Sequence, residues 1–159
     1  MAEIKYGHME GPGRGKEIPV AASQYFSRLG GHFVYLNAGN VTLNASATGI
    51  VAGWAEVPKD TAGYNAWKSS ATAETDKVFV ITGLGDTFKL PIDETNASLA
   101  ASYLGQGACL MISGSTYTTI QSAKIGGNVA ASPVSIVGVD TVNKTVLVKI
   151  KPSKLQAAG

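Results

Sequence analysis

Four groups of residues in this chain could do chemistry. His8 and His32 could act as general bases or metal ligands. Cys109 could act as a nucleophile or as a thiolate ligand. Asp93-Glu94 is an adjacent carboxylate pair of the kind used in acid–base work. Gly11-Pro-Gly-Arg-Gly-Lys16 has the glycines and the lysine of a phosphate-binding loop.

Each group falls short of a working site. Neither a Gly-x-Ser-x-Gly elbow nor a cysteine-protease signature accompanies the histidines or the cysteine, although a triad can assemble through the fold. Two distant histidines and one cysteine make a poor metal set. Cys109 lies in the apolar run Ala108-Cys-Leu-Met-Ile112, which predicts a buried thiol. The acid pair precedes an expected helix, where carboxylates favour the helix dipole. The glycine-rich stretch lacks the four-residue gap, the preceding strand and the Ser or Thr after the lysine. Gly83-Leu-Gly85 lacks the third glycine of a dinucleotide site. No catalytic residue, cofactor or metal is therefore expected, and an enzyme of unknown type ranks last among the functional classes. Trp54, Trp67, Tyr64 and Tyr117 could stack on sugars, or could serve as core or interface residues.

The elements that would position these residues are mostly strands. The chain closes on Ser135 to Lys151, two strands joined through Asp140 to Lys144. Val146, Val148 and Ile150 alternate with Thr145, Leu147, Lys149 and Lys151, the period-two pattern of a half-buried strand. Strands are also expected over His32 to Leu36 and Val41 to Leu43, across the turn composition Asn37-Ala-Gly-Asn40. Further strands are expected over Gly49 to Val57, Lys77 to Thr82, Thr87 to Pro91, Ala108 to Ser113 and Tyr117 to Ser122. Asp93 to Leu104 reads as one short helix, with Thr95 or Asn96 as cap, Leu99, Ala100, Tyr103 and Leu104 as its apolar stripe, and Gly105 as its end. Residues 58 to 76 read as a long polar loop carrying Tyr64 and Trp67, placed either to dock on a partner or to pack back on the domain. The fold class is mainly β: a small β-barrel or β-sandwich with one short helix. Val78, Val80, Val146, Val148 and Ile150 are expected in the core.

Residues 1–31 stand apart from the β-rich domain over 32–159. Gly7, Gly11, Pro12, Gly13, Gly15 and Pro19 punctuate them, and no periodicity persists. Ile4, Tyr6, Ile18, Val20, Tyr25 and Phe26 are nevertheless apolar. An extended N-terminal arm that orders on a partner explains both features. An irregular segment packed on its own domain explains them as well. Tyr64 and Trp67 are the candidate interface aromatics outside it.

Composition narrows the partners. The chain of 159 residues is 45% hydrophobic and only 15% charged, with formal net charge +2. Its surface must be rich in Ser, Thr, Asn, Gly and Ala, which suits packing against other protein. The basic residues are scattered, and the nearest to a group is Lys149, Lys151 and Lys154; nucleic acid is not an expected partner. The chain has neither a signal-peptide pattern nor an apolar run of membrane-spanning length, so production in a reducing cytoplasm is expected. Asn-x-Ser/Thr matches at Asn40, Asn44, Asn96 and Asn143 are accordingly read as chance.

Four stretches together resemble the capsid decoration (cement) proteins of tailed bacteriophages. They are Tyr6-Gly-His-Met-Glu-Gly-Pro-Gly-Arg-Gly-Lys16, Gly30-Gly-His-Phe-Val-Tyr-Leu-Asn-Ala-Gly-Asn-Val-Thr42, Gly49-Ile-Val-Ala-Gly-Trp-Ala-Glu56 and the ending from Val137 to Pro152. The resemblance implies a β-rich virion protein on the capsid exterior. It would bridge major capsid protein subunits and self-associate as a homotrimer at three-fold or quasi-three-fold positions, without nucleic acid or membrane. The other class that fits the residues is a carbohydrate- or cell-surface-binding β module of a virion.

Overall fold

The computed structural model describes residues 6–27, 29–43, 50–57, 66–93, 100–113, 120–125 and 132–156. The strands are β1 (Gly7–Glu10), β2 (Gly15–Pro19), β3 (Tyr25–Ser27), β4 (Phe33–Asn37), β5 (Asn40–Leu43), β6 (Gly53–Glu56) and β7 (Ala66–Lys68). They continue with β8 (Lys77–Ile81), β9 (Thr87–Asp93), β10 (Gly107–Ser113), β11 (Ile120–Lys124), β12 (Val134–Asp140) and β13 (Thr145–Ile150). The fold is mainly β, consistent with a sandwich, and its sheets are not closed into a regular barrel.

A six-stranded sheet runs β1-β9-β11-β10-β12-β13, and β13 returns to pair with β9. Its β9–β11 and β10–β12 pairings join only two residues of each strand, so the sheet curls on itself through short seams. Alternation explains which side faces in. Val146, Val148 and Ile150 point inward with Phe88, Leu90 and Ile136, and all six are buried. The β12–β13 hairpin has the expected register, Val134 opposite Ile150 to Asp140 opposite Thr145, with a bulge at Val137.

A five-stranded antiparallel sheet runs β2-β8-β6-β4-β5 and is buried on both faces. Phe33, Trp54 and Ile81 cap the core of the curled sheet from one face. Val34, Ala55, Val78 and Val80 point the other way, into a second core with Ile18, Val20, Phe26 and Val41. The β3–β7 ribbon pairs Phe26 with Trp67 and covers that second core. The aromatic joint is tight: Trp54 stacks on Phe88 with ring centroids 5.3 Å apart, and Phe33 meets both rings edge-on.

Two glutamines stitch the layers together. Gln121 accepts from the Phe33 amide through Oε1 at 2.8 Å and donates from Nε2 to the Phe33 carbonyl at 2.8 Å. Gln156 repeats the pattern on Leu36, at 2.7 and 3.0 Å. Each side-chain amide takes the place of a neighbouring strand where β4 has run past its partner, which satisfies backbone groups that burial would otherwise orphan.

Three expectations need correction. The first is the separate arm. Within residues 6–27, β1 pairs with β9, β2 with β8 and β3 with β7. The glycines and prolines mark turns between short strands, and the missing periodicity follows from strands too short to show it. The second is the helix over Asp93 to Leu104. Asp93 is the last residue of β9, Ala100 is extended, and Ala101–Tyr103 is a single 3-10 turn. The Gly105 amide bonds the Ile136 carbonyl at 2.8 Å, and the Ile136 amide bonds the Gln106 carbonyl at 2.7 Å, so strand pairing claims the end of the supposed helix. Thr95, Asn96 and Leu99 lie outside the described residues. The third is the long loop over 58 to 76: its Ala66–Lys68 stretch is a strand, and Glu74 and Ser69 amides bond the Val20 and Gln24 carbonyls.

Candidate functional site

Of the potentially reactive groups, His8, His32 and Cys109 make contacts inside the fold, and Glu94 lies outside the described residues. His8 Nε2 donates to Asp86 Oδ1 at 2.8 Å, and the Gly13 amide donates to the same oxygen at 2.8 Å. The bulge between His8 and Glu10 turns Met9 out of register while leaving His8 opposite Phe88, so the imidazole sits against the Phe88 ring at 5.7 Å. Asp86 is fully buried, and its Oδ2 has no hydrogen-bond partner among the described residues. Gly11, at φ 102°, and Gly83 line this carboxylate so closely that a Cβ on either would collide with it. The pair has the first two members of a catalytic relay, but no Ser, Thr or Cys hydrogen-bonds His8 among the described residues. It can pin β1 and the Gly11–Arg14 turn to the start of β9.

His32 is buried and donates from Nε2 to the Ser27 carbonyl at 2.8 Å. Its ring contacts Phe26 at 5.8 Å and Trp54 at 5.6 Å, so it joins the two cores rather than opening to solvent. Cys109 is buried, with Sγ 3.6 Å from Ser132 Oγ. Among the described residues no three His, Cys, Asp or Glu side chains converge as a metal set. No helix there is long and apolar enough to cross a membrane.

The expected docking residues scatter. Ile18, Val20 and Phe26 are buried in the second core. Tyr25 is half-buried, with the Lys68 ammonium 5.3 Å from its ring centroid. Tyr6 is half-buried, and burial raises its pKa above the ordinary phenol value. Trp54 is buried and offers no open stacking face, whereas Trp67 is half-buried and packs on Phe26 with ring centroids 5.9 Å apart. Ile4, Tyr64 and Tyr117 lie outside the described residues.

Two surface arrangements went unread in the sequence. On the face of the five-stranded sheet that carries Trp54 and Ile81, past the edge of the first core, Glu17, Phe79 and Glu56 stand side by side on β2, β8 and β6. Phe79 is 37% exposed because its neighbours Val78 and Val80 take the inward face. The alternation in Lys77-Val-Phe-Val-Ile81 is the signal that could have found it; the flanking carboxylates depend on pairings between distant strands. On the outer face of the curled sheet, Leu147 stands between Gly138 and Lys89, with Lys149 two residues along β13. Leu147 folds over the bare Gly138, and Val137 lies exposed beside it at the bulge.

The β12–β13 turn is held by Asp140. Its Oδ1 accepts from the Val142 and Asn143 amides at 3.0 Å each, and Oδ2 accepts from the Asn143 side chain at 2.8 Å. The backbone bond from Asn143 leads the causes that lower the Asp140 pKa. Comparison with known protein families, with curated proteins and with solved structures finds no match to this chain.

Proposed function

We propose that the protein is a structural, non-enzymatic component of a bacteriophage virion. It binds the outer surface of the assembled capsid and strengthens it by bridging major capsid protein subunits. The observation that carries this reading is the use of the polar side chains. His8, His32, Asp86 and Gln121 all make internal bonds that tie strands together, while among the described residues Phe79 and Val137 stand exposed on strands. The resemblance of four stretches to decoration proteins gives the reading its biological setting.

Such a protein stabilises its partner by mass action, because it binds the assembled lattice better than free subunits. A body already folded around two buried cores suits that role, since its paired strands need no further ordering on contact. In this reading the body's surfaces, rather than residues 6–27, meet the shell. Self-association into a trimer on the shell belongs to the same reading.

The test is to mix purified protein with expanded capsids that lack it and to image the particles. Added density at symmetry-related positions on the exterior is expected. Bare capsids at saturating protein would refute the reading.

A further inference from the structure

We propose that the protein associates with itself head to tail, the Glu17–Phe79–Glu56 row of one copy seating on the Lys89–Leu147–Lys149 face of the next. The proposal takes its self-partner from the function proposed above. Its test uses free protein without shells, so the two can fail separately.

The two faces match in chemistry. Phe79 is an exposed aromatic with a carboxylate directly opposite on each neighbouring strand. Residues directly opposite in antiparallel strands stand on one face, so the three side chains rise together. The other face offers an apolar patch, Leu147 folded over Gly138 with Val137 beside it, and two ammonium groups at its sides. An aromatic anchor on an apolar bed, with charges at the rim, is the usual layout of an energetic contact centre.

The spacings match too. Glu17 and Glu56 are two strand separations apart, roughly 9–10 Å. Lys89 lies one strand across from Leu147, and Lys149 two residues along, which puts the lysines roughly 8 Å apart. The carboxylates flank Phe79 in line and the lysines stand at a right angle about Leu147, so the long Glu and Lys side chains swing toward one another while Phe79 covers Leu147. Each face also carries one opposite charge at its margin, Lys77 and Asp140.

The charges also choose the symmetry. A two-fold contact of the acidic row with itself would crowd four carboxylates, and the basic face meeting itself would crowd four ammonium groups. Only the unlike faces attract. A contact between unlike faces is heterologous, and it closes into a ring when its rotation allows.

Sedimentation velocity from micromolar to millimolar protein tests this, run in low salt and again at about 0.5 M salt. Reversible association that weakens at high salt is expected for the wild type. Glu17→Lys with Glu56→Lys should weaken it about tenfold or more, and so should Lys89→Glu with Lys149→Glu. Combining all four changes in one chain should restore it, and mixing the two double variants should restore pairing between unlike variants, without closure of a three-membered ring. Thermal unfolding checks that each variant is folded, and the salt series on the wild type needs no variant. A wild type that stays monomeric throughout, association indifferent to salt, or folded double variants that associate like the wild type or are not rescued by mixing would overturn the proposal.

Discussion

The two cores are built differently. The core of the curled sheet draws on residues 81 to 150, apart from Phe33, Val51 and Trp54, and it is closed by a hairpin whose strands are joined by four residues. The second core has a local hairpin too, β4–β5, which brings Val34, Val41 and Leu43 to it, but its remaining strands meet only over long separations. Its strand β2 must find β8 across the intervening β3 to β7, pairing Ile18 with Val78. Loop closure must precede the reward of such a contact. The comparison teaches that the N-terminal segment is the closing piece of the second core, and that each core holds one hairpin able to set its register locally.

The first core should give the largest response to a point change. Phe88→Ala removes a ring stacked on Trp54 and touching Phe33 and His8, and should cost about 3–5 kcal/mol in denaturant unfolding. Next comes the link between the segment and the body. His8→Ala leaves the buried Asp86 carboxylate without its charged or polar side-chain partner, and about 3 kcal/mol should be lost. Pairing it with Asp86→Ala should recover part of that loss in a double-mutant cycle.

The second core then separates the two readings of the N-terminal segment. Ile18→Ala should cost about 2–3 kcal/mol, since Ile18 is 5% exposed; a loss within about 0.5 kcal/mol would mark it as a surface residue. The joint between layers comes lower still. Gln121→Ala frees the Phe33 amide and carbonyl, and about 2 kcal/mol is expected.

The smallest effects are in pH. The depressed Asp140 pKa gives stability that is present above the unfolded carboxylate value and is lost as pH falls through the folded one. Asp140→Ala should remove that part of the acid slope. Tyr6 has the opposite sense: its raised pKa gives stability that is full below the ordinary phenol value and is lost as pH rises through the folded one. Tyr6→Phe should flatten the alkaline limb of the stability curve.

What could be read in advance follows local pattern in either core. The β12–β13 hairpin was legible because alternation and turn chemistry both act within a few residues. Val78 and Val80 were legible for the same reason. The strands β1, β2 and β3 were not, because glycine and proline turns interrupt them before two full periods accumulate. The Asp93 to Leu104 stretch misled because its apolar spacing fits a helix, while pairing with β12 claims its end. Asp86 was hidden in a turn composition, and only the fold brings His8 to it. The acidic row around Phe79 likewise needs the pairing of β2, β8 and β6, which no local pattern encodes.

The most direct test of this account is the thermal unfolding of a chain lacking residues 1–14. That deletion removes β1, His8 and the Gly13 amide, and takes from Asp86 both partners of its Oδ1 together with the cover of Gly11. The account predicts a fall in unfolding temperature of roughly 10 °C or more. An unfolding temperature equal to that of the full chain would contradict it, and would return the segment to the role of a separate arm.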